Sequence, residues 1–211
     1  TEALHAADLP AGVFNIVNGT GAVVGEALTA HPDVAKISFT GSSAVGQHLV
    51  SAGAATMKRV TLELGGKSPT VVLDDADFAA VMPLILQGGF MNSGQACVAG
   101  TRILVPRHRL AEFEQAMLDA VSRIKSGDPR EADTDIGPMV SARQWERVQG
   151  YIRLGTQEGA RLLAGGEGRP QGLGAGWFVK PTIFTDVQNE MRIAQEEIFG
   201  PVLAIIAYDD D

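Results

Sequence analysis

The chain of 211 residues has a single cysteine, Cys97, so it forms no internal disulfide and holds no cysteine-based metal cluster. That usage fits a reducing compartment. Its four histidines, His5, His31, His48 and His108, lie far apart without the spacing of a ligand set, and no metal is expected. A basic tract is also missing. The 17 lysines and arginines are dispersed and the formal charge is −8, which makes nucleic acid and anionic membranes poor partners. No signal peptide opens the sequence, since TEALHAADLP holds two acids and no apolar run. One uncharged stretch, the 24 residues from Phe78 to Thr101, is long enough to cross a bilayer. Within it, Pro83, the Gly88-Gly89 pair and NSGQ would leave backbone groups unpaired in lipid, so it reads instead as a buried helix followed by a buried loop. A cytoplasmic chain with no membrane partner is expected.

Apolar residues make up 45% of the chain and charged ones 20%, enough to bury a core in one large domain or in parts of two. Strand and helix patterns alternate. VFNIV (13–17) and AKISF (35–39) read as strands around a helix over 21–30, and VTLEL (60–64) follows a helix over 42–54. SPTVVL, a helix from Phe78, TRILVP and the amphipathic LAEFEQAMLDAVSRI come next. SARQWERVQGYIRLGTQEG repeats its apolar residues near helical spacing, and ARLLAG, WFVKPTIF and VLAIIAY supply further strands. Short apolar strands between helices predict an α/β fold of mostly parallel sheets with helices on both faces. The Gly65-Gly66 pair marks the boundary between two units, 1–64 and 65–211. The sequence starts on Thr1 inside an apparent helix and stops on the acidic triplet DDD just after a strand, as though cut from something longer. That triplet reads either as a solvated tail or as the cap of a further helix.

Four segments could carry chemistry. FTGSSAVG (39–46) follows a strand and opens a helix, where free N–H groups could hold a phosphate, although an ordinary βα turn explains it as well. Two nucleotide fingerprints fail here: no G-x-G-x-x-G follows a strand, and Gln47 stands where a P-loop needs lysine. NSGQACVAG (92–100) places Cys97 after a glycine turn, either as a small buried hydrophobe or as a thiolate activated at a helix start. Glu63 ends a strand, as a solvated terminus, a capping group or a general acid/base beyond the carboxyl edge of a parallel sheet. The two glycines that follow would admit a ligand or another backbone. EEIFGPV (196–202) is a helix end before a tight turn, or an acid for ribose hydroxyls beside Phe199 for a flat ring.

In their order, these motifs resemble the NAD(P)-dependent aldehyde dehydrogenase superfamily over essentially the whole chain: LELGGKSP its glutamate signature, GQAC its cysteine signature, FTGSSAVG its phosphate-side turn and EEIFGPV its ribose signature. The resemblance implies an aldehyde dehydrogenase-like fold with Rossmann-like sheets, in which 1–64 is the C-terminal part of the NAD(P)-binding domain and 65–211 a catalytic domain incomplete at its C-terminal end. It makes Cys97 the nucleophile and Glu63 the general base. Gly41, Ser42, Val45 and Gly46 would line the pyrophosphate and adenine side, Leu64 and Gly65 would flank the nicotinamide, and Glu197 with Phe199 would hold its ribose. Gln144 and Arg147 fall on a helix that the resemblance sets against the cofactor. The implied reaction takes a small-molecule aldehyde through a thiohemiacetal and a thioester to a carboxylic acid, with NAD or NADP as oxidant, in a homo-oligomer.

The family's Pro-Trp-Asn signature, whose asparagine donates to the oxyanion, is absent. One such donor is worth roughly 100 to 1,000-fold in rate, so the 211-residue chain by itself is expected to oxidise aldehydes poorly or not at all. Two rival readings remain: an acylating branch that passes the thioester to phosphate or CoA, against which Glu63 speaks, and a non-catalytic module that binds nucleotide or a partner chain.

Overall fold

Ser42 stops one strand and starts one helix. Its backbone is extended, and its hydroxyl accepts from Val45 N at 3.4 Å, capping helix α3 (Ser43–Gly53). The computed structural model describes residues 2–209; Thr1, Asp210 and Asp211, and with them most of the acidic triplet, lie outside the described residues. The chain divides into two compact units, Thr1–Leu64 and Gly65–Asp211.

In the first unit, helix α1 (Glu2–Ala6) precedes a π-helical turn, Gly21–Gly25, that runs on into α2 (Glu26–Ala30). Strand β1 (Lys36–Gly41) then crosses over through α3 to β2 (Arg59–Leu64), and the two pair in parallel with Thr40 opposite Glu63 and Gly41 opposite Leu64. The helix lies close on its strands because Gly46 has no side chain: a Cβ there would sit 2.9 Å from Leu64 Cδ2 and 3.3 Å from Leu62 Cδ1. The strand expected over 13–17 does not form. VFNIV runs as irregular backbone with Val13, Phe14, Ile16 and Val17 exposed. Its β propensity has no ladder to join, since the sheet of this unit is β1 and β2 alone among the described residues.

The second unit carries a five-stranded sheet of β3 (Ser68–Val71), β4 (Gly100–Pro106), β5 (Arg161–Ala164), β6 (Thr182–Thr185) and β7 (Val202–Tyr208). Its order is β3-β4-β7-β6-β5, parallel throughout except for β5 against β6. Alternation along the central strands serves two cores. Ile183, Leu203 and Ile205 pack with Phe78, Met82 and Phe90 of α4 (Phe78–Phe90) and Phe113 and Met117 of α5 (Leu110–Val121). Phe184, Val202 and Ala204 pack with Val148 and Ile152 of α6 (Ala142–Gln157) and Ile193 of α7 (Arg192–Gln195). Period-2 side chains buried on both faces produce the uninterrupted apolar runs seen in the sequence. The fold is thus α/β with mostly parallel sheets. Of the segment WFVKPTIF (177–184), only Thr182 to Phe184 is strand, and β6 runs one residue beyond it to Thr185.

The uncharged stretch from Phe78 divides into a helix and a loop, but the loop is not buried throughout as expected: Met91, Cys97 and Val98 are exposed, while Ser93 and Gly94 are buried. Asp77 caps α4 through Ala79 N at 2.9 Å, and Phe78 meets Phe113 edge to face at 5.2 Å while the Arg109 guanidinium covers its ring at 3.9 Å. Among the described residues, no helix is long and apolar enough to cross a membrane.

Candidate active site

In the first unit, residues of β1, one face of α3 and the segment 21–29 line an open cavity of about 660 Å³. Gly21, Ala22, Gly25, Phe39, Val45 and Leu49 give it a largely apolar wall, and a Cβ added at Gly21 or Gly25 would meet nothing. Glu26 and His48 also line it, with Oε1 and Nε2 2.7 Å apart. Such a space suits a flat heteroaromatic ring. Of the four residues expected along this turn, Val45 lines the cavity, Ser42 caps α3, Gly41 lies against the Phe39 ring and Gly46 is buried on Leu62 and Leu64. The residues missed by the sequence reading are Gly21, Ala22, Gly25 and His48; the small-residue spacing of GAVVG was the available signal. Glu63 is exposed at the next-to-last position of β2, which ends on Leu64.

In the second unit, Cys97 is exposed on a turn closed by Ala99 N donating to Ala96 O at 3.1 Å. No helix starts there. Asn92, Ser93 and Gly94 are successively left-handed, with φ of 52°, 60° and 72°, and strand β4 begins at Gly100, so Val98 and Ala99 are all that separate Cys97 from the strand, less than one helical turn. The helix-start route to a thiolate is therefore corrected. The strained loop is tied down instead: Gln95 Oε1 accepts from Val140 N at 2.9 Å, and the buried Ser93 hydroxyl donates to Gly137 O at 3.1 Å.

Gly66 lies next to this turn, since a Cβ there would be 3.9 Å from the Cys97 carbonyl oxygen. The same pair of glycines seats Glu197. Its Oε1 accepts from Gly66 N at 3.3 Å, and a Cβ on Gly65 would lie 2.5 Å from its carboxyl carbon. Two side chains of α6 hold the loop that carries it: Arg147 Nη2 donates to Glu197 O at 2.7 Å, and Gln144 Nε2 donates to Ile198 O at 3.2 Å and Phe199 O at 2.7 Å. Gln144 and Arg147 thus brace the ribose-signature loop, and through those bonds Phe199 keeps a left-handed φ of 60°. Gly200 completes the packing, where a Cβ would come within 3.0 Å of Val148 Cγ1. Beside the loop, Arg192 and then Tyr151 hydrogen-bond Glu196 and hold its carboxyl at about 2, well below the usual range.

Lys67 was not singled out from the sequence, because a lysine is by default a solvated side chain. Here its Nζ is buried with no hydrogen-bond partner among the described residues. Burial first, then the nearby Arg102 charge, pull its pKa from the ordinary 10.5 down to about 8, while the Glu197 carboxylate pulls it back up.

Comparison with known proteins agrees in sequence and in structure. The sequence model of the aldehyde dehydrogenase family matches residues 1–211. A putative aldehyde dehydrogenase of Staphylococcus saprophyticus is 48% identical over 202 residues, covering 96% of this chain and 42% of the relative. Among solved structures, aldehyde dehydrogenase C of Pseudomonas syringae, a mutant in complex with NAD+ and octanal, superposes with a TM-score of 0.96 at 50% identity, covering 99% of this chain and 43% of that one. The Mycobacterium tuberculosis aldehyde dehydrogenase complexed with NAD+ gives 0.95 at 49% identity, over 100% of this chain and 43% of the other. The chain spans about 42% of the length of the curated relatives it matches. With its whole length matched and its fold superposing this closely, the chain belongs to the aldehyde dehydrogenase family.

Proposed function

We propose that this chain serves the NAD(P)-dependent oxidation of a small-molecule aldehyde to a carboxylic acid, with Cys97 as nucleophile and Glu63 as general base. The observation that carries the reading is the exposed Cys97 turn against Gly66, whose N–H and neighbouring Gly65 seat the Glu197 carboxylate. In this reading residues 1–64 are the C-terminal part of the cofactor domain and 65–211 a catalytic domain.

The residues present fit a dinucleotide. In this reading Gly41, Ser42, Val45 and Gly46 line the pyrophosphate and adenine side, the adenine entering the cavity lined by Val45, Gly21 and Gly25. Leu64 and Gly65 flank the nicotinamide, and Glu197 with Phe199 holds its ribose, where Gly65 is required because any side chain would displace the carboxylate. NAD or NADP, when bound, supplies the acceptor for the hydride of the substrate; the solved relatives hold NAD+.

Cys97 Sγ attacks the carbonyl carbon, forming a C–S bond while the carbonyl oxygen takes up the charge of a tetrahedral thiohemiacetal. After the oxidation the acyl group stays on sulfur as a thioester. Glu63 takes a proton from water, the water oxygen attacks the acyl carbon, and the C–S bond breaks to release the acid and the thiolate. A cytoplasmic homo-oligomer is part of the same proposal, on the grounds of family membership and cysteine usage.

The test is acid-quench mass spectrometry of a protein of the relatives' full length that carries this chain, after incubation with NAD+ and octanal, the aldehyde bound by the Pseudomonas relative. An octanoyl adduct should accumulate on Cys97 in its Glu63→Gln variant and be absent from Cys97→Ala. Acylation at another residue, or none in Glu63→Gln, would overturn the assignment.

A further inference from the structure

A buried ammonium with three donors and no acceptor is costly, and at functional sites such costs are kept when the group acts on something. Lys67 directly follows the two glycines that seat Glu197. Its backbone is pinned, because Arg102 Nε on β4 donates to Lys67 O at 2.9 Å while Arg102 Nη1 reaches Asn189 Oδ1 at 3.4 Å. Two charged groups act on the ammonium: Arg102, which repels it, and Glu197, which attracts it. No ion pair joins Lys67 to Glu197, so the lysine acts as a field and not as a ligand of the carboxylate, whose own hydrogen bond comes from Gly66.

We propose that Lys67 is a positioning residue for Glu197, its buried ammonium drawing the carboxylate onto the Gly65–Gly66 backbone and opposing the alternative in which that carboxylate swings out to water. The consequence for cofactor binding rests on the reading that Glu197 meets the ribose. The hydrogen bond that fixes Glu197 is long, 3.3 Å to Gly66 N, and a single long bond leaves a carboxylate free to rotate unless a countercharge biases it. The countercharge is conditional. Once Lys67 loses its proton, at a pH of about 8, only Gly66 N holds the acid. Dinucleotide affinity is then expected to fall as pH rises through that value.

Two measurements on the chain test this. In protein labelled at lysine Cε with 13C, the Lys67 resonance, assigned by its disappearance in Lys67→Met, should titrate near pH 8 and shift to a lower midpoint in Glu197→Gln. An identical midpoint in the two proteins would overturn the coupling. In NAD+ titrations, the unsubstituted chain should bind about tenfold more weakly at pH 9.5 than at pH 7, in the usual range for coupled groups. Lys67→Met should bind weakly at both pH values and Lys67→Arg tightly at both, since arginine keeps its charge. Weakening by Glu197→Gln but not by Lys67→Met would leave the ribose reading standing and refute the role of Lys67. Loss of the ribose reading has a different signature: Glu197→Gln shifts the lysine midpoint without changing NAD+ affinity.

Discussion

Replacing Lys67 by methionine should make the protein more stable and its gain should vanish in alkali. Methionine keeps the length of the stem and removes the buried charge. In the folded chain the lysine titrates at about 8, against an ordinary 10.5, chiefly because burial disfavours its charged form. At 1.36 kcal/mol per pH unit, that gap corresponds to about 3 kcal/mol of destabilisation. The sign follows from proton counting. Below pH 8 the folded and unfolded chains both carry the proton, so the full cost is present. Between 8 and 10.5 the unfolded chain binds more protons than the folded one, stability rises with pH, and the cost is relieved. Lys67→Met should therefore exceed the parent by about 3 kcal/mol at pH 7 and approach it near pH 10.5. Urea unfolding followed by tryptophan fluorescence is a suitable assay, because both tryptophans, Trp145 and Trp177, lie in the same compact unit as Lys67. A mutant less stable than its parent at pH 7, or a difference independent of pH, would refute the reasoning. Combined with weaker NAD+ binding, the expected gain would make Lys67 a site where stability is given up for function.

Three further outcomes are expected. Gly65→Ala should leave the fold intact, its backbone lying outside the left-handed region, yet weaken NAD+ binding by tenfold or more because the new Cβ would lie 2.5 Å from the Glu197 carboxyl carbon; parent-like affinity in a binding titration would count against the seat described. Phe113→Ala removes a fully buried ring packed edge to face on Phe78 and should cost about 3 to 5 kcal/mol in urea unfolding; a loss under about 1 kcal/mol would mean that the core closes around the gap. Glu196 titrates at about 2, held down first by Arg192 and then by Tyr151, so its contribution to stability is complete above the ordinary carboxyl value of 4.5 and is lost as pH falls toward 2. Tyr151→Phe should move that midpoint upward toward 4.5 in a carboxyl 13C titration, and a midpoint that stays put would leave the arginines, Arg192 before Arg147, as its cause.

Local pattern made much of the fold legible. Ser42 and Ser141 cap helices that open where the polar-to-apolar switch placed them, and VLAIIAY and TRILVP are central strands because apolar runs buried on both faces have few other solutions. VFNIV did not follow its local pattern. Its composition is as β-prone as that of β1, but a strand exists only where a neighbour offers a ladder, and composition cannot name the neighbour. The short helix expected at Cys97 failed for a related reason: three left-handed residues precede it and a strand follows within three, constraints imposed by the ends of the loop and not by its residue types.

The sequence by itself determined the family and the inventory of reactive groups, since a lone cysteine, a strand-ending glutamate and a ribose-type acid in that order are chemical identities independent of packing. Tertiary structure alone decided what each of those groups touches. It turned Gln144 and Arg147 into braces of the Glu197 loop, made Gly65 and Gly66 the seat of its carboxylate, and buried the Lys67 ammonium beside it. Burial and contact join residues such as Gly66 and Glu197, 131 positions apart, and a separation of that length leaves no periodicity along the chain to read.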